Sequence, residues 1–227
     1  MAKRHLKSLA APRSWNIKRK KSKFITRPYP GMYRFSEGLP ISLVLKDSLK
    51  LCKTNKEVKY VLNKQEIKID GVRRKDPKFL VGLFDIINIP KLKQSFRVLI
   101  NKRGKIELKQ LKDETLLKPC KVTGKALVKK RMQLNLYDGR NILIDKDSFK
   151  VGDTLIIELP GQVIKEHLKF EEGALAYLTK GKNVGEFGKI ERIKGGSIVF
   201  KKLTGEKFET KRDYAFIIGK DKPAIEL

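Results

Sequence analysis

From Lys91 onward the apolar residues of this chain come in short runs, each ended by a turn signal. Such runs are too short for helices and leave antiparallel strands as the available structure. Phe96-Arg-Val-Leu-Ile100 leads into Asn101-Lys-Arg-Gly104 and then Lys105-Ile-Glu-Leu108, a hairpin with glycine in the turn. Leu134-Asn-Leu-Tyr137 and Arg140-Asn-Ile-Leu-Ile144 flank Asp138-Gly139, a pair that favours the two-residue hairpin turn. Val151-Gly-Asp-Thr154 leads into Leu155-Ile-Ile-Glu-Leu159, which Pro160-Gly161 stops. Regular short strands of this kind build small barrels or sandwiches. Ala174-Leu-Ala-Tyr-Leu178 opens a last unit, and Gly181, Gly185 and Gly188 then permit a turn and a close backbone approach. Ser197-Ile-Val-Phe200, Lys207-Phe-Glu-Thr210 and Tyr214-Ala-Phe-Ile-Ile218 complete that unit. No long repeat and no low-complexity tract interrupts it.

Residues 37–90 have a different character. Pro40 suits a first helical turn. On a helical wheel Ile41, Val44, Leu45, Leu49 and Cys52 share one arc, with Ser42, Lys46, Lys50 and Lys53 opposite. Thr54-Asn-Lys-Glu57 has the spacing of a capping box and predicts a second helix that buries Val58, Val61 and Leu62 and shows Lys56, Lys59 and Asn63. Ile67 and Ile69 alternate with Lys68 and Asp70, and Asp70-Gly71 turns the chain towards Arg73, Arg74 and Lys75. Leu80 to Ile89 closes the segment as an apolar, strand-like stretch. Two adjacent lysine faces and a basic turn form one basic surface.

Residues 1–36 hold eleven cations, no acid and three prolines, Pro12, Pro28 and Pro30. The cations are Lys3, Arg4, Lys7, Arg13, Lys18, Arg19, Lys20, Lys21, Lys23, Arg27 and Arg34, interleaved with Trp15, Phe24, Tyr29, Tyr33 and Phe35. Like charges at this density repel one another in an isolated chain. The expectation is an extension that is disordered alone and orders on RNA, cations on phosphates and rings on bases or sugars.

Across its 227 residues the chain carries 53 Lys and Arg against 25 Asp and Glu, a formal net charge of +28. That excess opposes compaction. A polyanion removes the penalty, and nucleic acid gains further through counterion release. A membrane is the other polyanionic surface, but no apolar run approaches the roughly 18–20 residues that span a bilayer. The basic opening lacks the apolar stretch of a signal peptide. Cys52 and Cys120 are far apart, and with His5 and His167 they offer no zinc-ligand spacing, so the expectation is two reduced thiols, no metal and no cofactor. The glycines at 181, 185 and 188 are not a phosphate-binding loop, because no Gly-Lys-Ser/Thr follows. Neither histidine has an evident triad partner, and Asp70, Asp76 and Asp85 read as turn, cap or packing residues. No catalytic constellation is expected.

Lys180-Gly-Lys-Asn-Val-Gly-Glu-Phe-Gly-Lys-Ile190 resembles the KOW signature, a glycine-centred stretch of small SH3-like barrels, and residues 41–71 resemble the S4-type RNA-binding module. Met1-Ala-Lys-Arg-His-Leu-Lys7, Ala11-Pro-Arg-Ser-Trp15, Val81-Gly-Leu-Phe-Asp-Ile86 and Asn183-Val-Gly185 fit the archaeal and eukaryotic-type family of small-subunit ribosomal protein four. The sequence stops soon after the KOW-like stretch, which resembles the shorter archaeal form of that family. The resemblance implies an α+β chain with a basic extension (1–36), an S4-type module (37–90), a central antiparallel β domain (91–168) and a KOW SH3-like barrel (169–227). It implies a non-catalytic, cytoplasmic, ribosome-bound protein, monomeric within the particle. Its partners would be small-subunit rRNA, in the 5′ region, and neighbouring ribosomal proteins, with no membrane and no small-molecule substrate. The RNA-binding candidates are the extension residues Lys3, Arg4, Lys7, Arg13, Trp15, Lys18, Arg19, Lys20, Lys21, Lys23 and Arg27. To these are added Lys46, Lys50, Lys53, Lys56, Lys59, Lys68, Arg73, Arg74 and Lys75 in the module, and Lys180, Lys182, Asn183 and Lys189 in the last unit. An RNA-modifying enzyme with an S4-type module would need a large catalytic domain where short strands follow residue 90. A KOW-containing transcription or translation factor leaves the extension and the module unexplained.

Overall fold

The computed structural model describes residues 5–112, 116–145, 148–202 and 205–226. The chain forms two compact units, Met1–Leu99 with Lys105–Thr115, and Ile100–Gly104 with Leu116–Leu227.

In the first unit, β1 (Leu6–Lys7) pairs with β2 (Phe24–Ile25), and β3 (Gly38–Pro40) later pairs with β6 (Leu80–Gly82), both antiparallel. The extension is thus part of the fold. Leu6, Ala11 and Trp15 share one core with Ile41, Leu43, Leu45, Val58, Leu62, Ile67 and Ile69. Trp15 is only 1% exposed, and its ring lies 5.3 Å from that of Phe35. The expectation of a segment without structure of its own is corrected here. One indole contributes more apolar area than most core residues, and together with Leu6 and Ala11 it ties the basic chain to that core.

The first helical segment is shorter than its wheel pattern predicts. The helix α1 (Ile41–Leu43) widens at once into a π-turn, Val44–Ser48, closed by Leu49 N donating to Val44 O at 2.9 Å. Lys50, at φ 56°, ends it. The apolar arc is buried as expected, but Ser42, placed on the solvent arc, is buried too. The chain before β6 covers that side: Ile41 N donates to Phe79 O at 2.9 Å and Ser42 N to Pro77 O at 3.1 Å. The first turn therefore finds acceptors for its otherwise unsatisfied N–H groups in another segment.

Helix α2 (Asn55–Lys64) follows its sequence signals closely. Thr54 Oγ1 accepts from Glu57 N at 3.2 Å, and the Glu57 carboxylate accepts from Lys53 N at 2.7 Å. Those backbone and hydroxyl donors hold the Glu57 carboxyl below its ordinary pKa. Val58 and Leu62 are buried and Val61 is half-buried. The sheet runs in the order β5-β4-β7-β8-β9, from β4 (Lys68–Ile69), β5 (Val72–Arg73), β7 (Ile86–Ile89), β8 (Gln94–Ile100) and β9 (Ile106–Leu111). Asp70 and Gly71 both have positive φ, 53° and 77°, as the tight turn between β4 and β5 requires. The Asp70 carboxylate accepts from Ile86 N at 2.9 Å, which ties the turn to β7. The β8–β9 hairpin, assigned from sequence to a central β domain, extends this sheet instead.

The second unit contains two five-stranded antiparallel sheets. The first has the order β12-β11-β10-β13-β14, from β10 (Leu117–Val128), β11 (Arg131–Leu136), β12 (Asn141–Ile144), β13 (Thr154–Glu158) and β14 (Val163–Leu168). Its core is Cys120, Val122, Leu134, Leu136, Leu155, Ile157 and Leu159. Asp138, at the turn before β12, is buried between Lys118 (3.2 Å) and Arg140 (3.3 Å). Burial pushes its carboxyl up, but the two cations outweigh burial and hold it below the usual range. The second sheet has the order β18-β17-β16-β15-β19, from β15 (Leu175–Leu178), β16 (Phe187–Lys194), β17 (Ser197–Lys202), β18 (Lys207–Lys211) and β19 (Ala215–Gly219). Gly181 and Gly185 have φ of 91° and 78°. A Cβ on Gly185 would lie 2.6 Å from the Asn101 carbonyl carbon, and one on Gly188 would lie 2.2 Å from Lys201 O. Both glycines are therefore sites of close backbone approach. Cys52 and Cys120 are buried free thiols.

Candidate RNA interface

Helix α2 is the centre of the basic surface in the first unit. Its buried stripe of Val58 and Leu62 forces Lys56, Lys59, Tyr60, Asn63 and Lys64 onto the exposed side. Both ends of the helix receive a cation from another element. Lys46 Nζ donates to Asn55 Oδ1 at 3.1 Å at the start. Arg73 donates to Asn63 O at 2.9 Å at the end, where the helix dipole favours positive charge. Lys46 from the predicted lysine face and Arg73 from the predicted basic turn thus meet on α2. Lys50, Lys53 and Lys75 are exposed, and Lys68 is half-buried. The Arg74 guanidinium stacks over Phe79 at 4.5 Å.

Lys3 and Arg4 lie outside the described residues. Lys7, Arg13, Lys18, Lys20, Lys21 and Lys23 are exposed, and Phe24 is exposed beneath Lys23. Arg27 is half-buried and lies over Phe35 at 5.7 Å. Two extension candidates have another role. Trp15 is a core residue with no face open to a base. Arg19 donates to Ala11 O and Pro12 O, both at 2.8 Å, with Ser8 O and Leu9 O at 3.4 Å. Its planar fork is spent on carbonyls of its own chain, so it shapes the extension rather than reaching out of it. In sequence it is indistinguishable from its lysine neighbours, because the carbonyls it binds carry no sequence signal.

In the second unit Lys180 and Lys182 are exposed and Asn183 is half-buried. Lys189 forms an ion pair with Asp221 at 2.6 Å. Lys202 and Lys207 are likewise paired, with Glu206 (3.0 Å) and Glu191 (2.5 Å). By contrast Lys56, Lys59, Lys64 and Lys75 have no carboxylate partner among the described residues. Their charge is available to an outside anion.

One feature escaped sequence reasoning, and a second was only half legible. Tyr60 is 65% exposed amid the α2 lysines, an aromatic platform that a search for buried periodicity passes over. Tyr29 is exposed and lies under Lys78, 4.4 Å from its ring. The interleaved aromatics of the extension carried a signal for Tyr29, but nothing in the sequence pairs it with Lys78. Among the described residues no three His, Cys, Asp or Glu side chains gather as a metal site, and no helix is long and apolar enough to cross a membrane.

Comparison with known proteins gives a consistent result. Residues 92–164 match the model of the ribosomal family S4e, and residues 2–32 match that of the RS4NT (NUC023) domain. The small ribosomal subunit protein eS4 of Methanocaldococcus jannaschii is 42% identical over 99% of this chain and 98% of its own length. The corresponding protein of Methanococcus vannielii is 39% identical over the same shares. The crystal structure of the 30S ribosomal protein S4e from Thermoplasma acidophilum superposes with a TM-score of 0.70 at 33% identity, covering 82% of this chain and 96% of that one. With full-length relatives at this identity and a matching solved structure, the chain belongs to the S4e family of ribosomal proteins.

Proposed function

We propose that this protein is a non-catalytic structural constituent of the small ribosomal subunit, binding rRNA through the α2 surface and the exposed cations of the extension. The observation that carries the reading is the set of α2 lysines with no carboxylate partner among the described residues, with Tyr60 among them. Phosphate contacts from such lysines supply affinity and position, and an exposed ring supplies stacking. The extension (1–36), the S4-type module (37–90) and the later β segments act as successive parts of one rRNA-binding chain. The segment 169–227 is read as a KOW-type SH3-like barrel, supported by the close approaches at Gly185 and Gly188. The target is the 5′ region of small-subunit rRNA. The protein works as a single copy in the cytoplasm beside neighbouring ribosomal proteins.

Matched triple substitutions test this reading. Lys56, Lys59 and Lys64 changed to Gln remove three charges with no described carboxylate partner; Lys189, Lys202 and Lys207 changed to Gln remove three paired ones. The first triple lowers the log–log salt slope of rRNA binding by about 0.7–0.9 per lost contact, and the second leaves it nearly unchanged. Co-sedimentation with 30S particles in a salt gradient falls in parallel. Equal losses from the two triples would mean that net charge alone drives binding.

A further inference from the structure

The β10–β11 hairpin carries a feature that the RNA-binding surface of α2 does not explain. Within β10, Leu117–Lys121 pairs with β13 and Val122 still bonds the chain just before it, Val122 N donating to Asp153 O at 2.8 Å, whereas Gly124–Val128 pairs with β11 alone. Strand β12 supports β11 only from Met132 to Asn135. The last rung, Val128 opposite Arg131, and the two residues that join it therefore extend past both neighbours as a two-stranded ribbon. Those two residues are Lys129 and Lys130, at φ 46° and 68°.

Positive φ at both central positions is the turn that matches strand twist, and Asn-Gly or Gly-Gly satisfy it with least strain. Here two lysines occupy it, each with a Cβ that the left-handed region disfavours. The next hairpin in the same sheet puts a glycine, Gly139 at φ 76°, at its left-handed position, so the sheet elsewhere uses the residue that carries no such strain. Strain of this kind clusters where a side chain is needed for function. What these side chains offer is charge: Lys129, Lys130 and Arg131 are consecutive and exposed. Arg131 faces Asp145 at 3.1 Å, but both groups are largely solvated, so that pair competes weakly with a phosphate. Leu127 is 73% exposed just behind the turn, an apolar contact at the base of a basic tip.

We infer that the β10–β11 hairpin tip is a separate rRNA-binding element, in which Lys129, Lys130 and Arg131 straddle a phosphate backbone and Leu127 packs on a sugar or base. The inference rests on the rRNA-binding reading above and adds a site outside the α2 surface. A two-stranded ribbon of this width enters a groove or lies along a helix backbone, and three cations within one turn engage successive phosphates.

The test replaces Lys129→Asn and Lys130→Gly together in the full chain, with Lys129→Arg and Lys130→Arg as the charge-preserving control. The first variant gives the turn its preferred residues, so its melting temperature rises while rRNA binding weakens. Two lost contacts lower the log–log salt slope by about 1.5 and affinity in 0.1 M salt by roughly 30-fold. The arginine variant keeps the wild-type slope. Wild-type affinity and slope in the Asn-Gly variant would overturn the hairpin assignment and leave the wider reading standing. Failure of the wild-type chain itself to bind small-subunit rRNA would overturn that wider reading. A fall in melting temperature for the Asn-Gly variant would refute the conformational premise. If Leu127→Gln blocks incorporation into the particle with naked-rRNA binding unchanged, the tip docks on protein and the inference is overturned.

Discussion

Lys121 shows how one cation in a basic chain can be committed to structure. Its ammonium donates to Ala215 O at 2.8 Å and Asp213 O at 3.2 Å, fixing β10 to the turn before β19. Burial pushes its pKa down to about 8, with Asp213 opposing the shift and Arg212 and Lys180 adding to it. Between pH 8 and the unfolded value near 10.5, the unfolded chain holds a proton that the folded chain has lost. Folding is therefore penalised by this group below pH 8, and the penalty fades as pH rises through that window. A neutral amine keeps two donors, enough for both carbonyls. Compared with Lys121→Met, the wild-type urea midpoint should gain between pH 7.5 and 9.5; a constant difference would contradict the shifted pKa. Trp15 makes the complementary point for an apolar group. Trp15→Ala should cost about 3–5 kcal/mol in urea denaturation of the chain, a loss that a base-stacking ring on the surface would not produce.

At the scale of elements, legibility in the sequence followed from how local the determining interaction is. Helix α2 was readable because its cap, Thr54 with Glu57, and its buried stripe lie within ten residues of one another. Thr54→Ala should lower stability by about 1 kcal/mol and fray the helix start, seen as faster amide exchange at Lys56 and Glu57. The first helical segment was only half readable. Its apolar arc was right, but the burial of Ser42 depends on the segment of Pro77 and Phe79, more than thirty residues away, and the local pattern does not announce the π-turn. The hairpins were readable from their glycines, yet membership of a sheet was not: nothing in residues 94–111 says that they extend the β4–β7 sheet. Gly185 combines both kinds of information. Its turn role was legible, whereas the Asn101 backbone beneath it was not. Gly185→Val, strained in φ and in collision with that backbone, should destabilise the chain by about 3 kcal/mol. A melting temperature equal to wild type would show that the loop has room to move.

For the whole molecule, the open question is how a chain of net charge +28 divides its cations between folding and binding. The extension decides it most sharply, because Leu6, Ala11 and Trp15 anchor it in the first unit while Lys18, Lys20, Lys21 and Lys23 stay exposed. Deleting residues 1–36 would remove both roles at once, opening a core and losing phosphate contacts, so a weakened complex could not be assigned to either. Substituting Lys18, Lys20, Lys21 and Lys23 with Gln separates them. The melting temperature should hold or rise slightly, because four like charges in close sequence no longer repel. The log–log salt slope of rRNA binding should fall by about 3, from four contacts at 0.7–0.9 each. Trp15→Ala should do the reverse, lowering the melting temperature while the slope measured on the remaining folded protein changes little. If the glutamine variant melts early or keeps its slope, the lysines serve the fold or solvent, and the extension binds RNA through other groups.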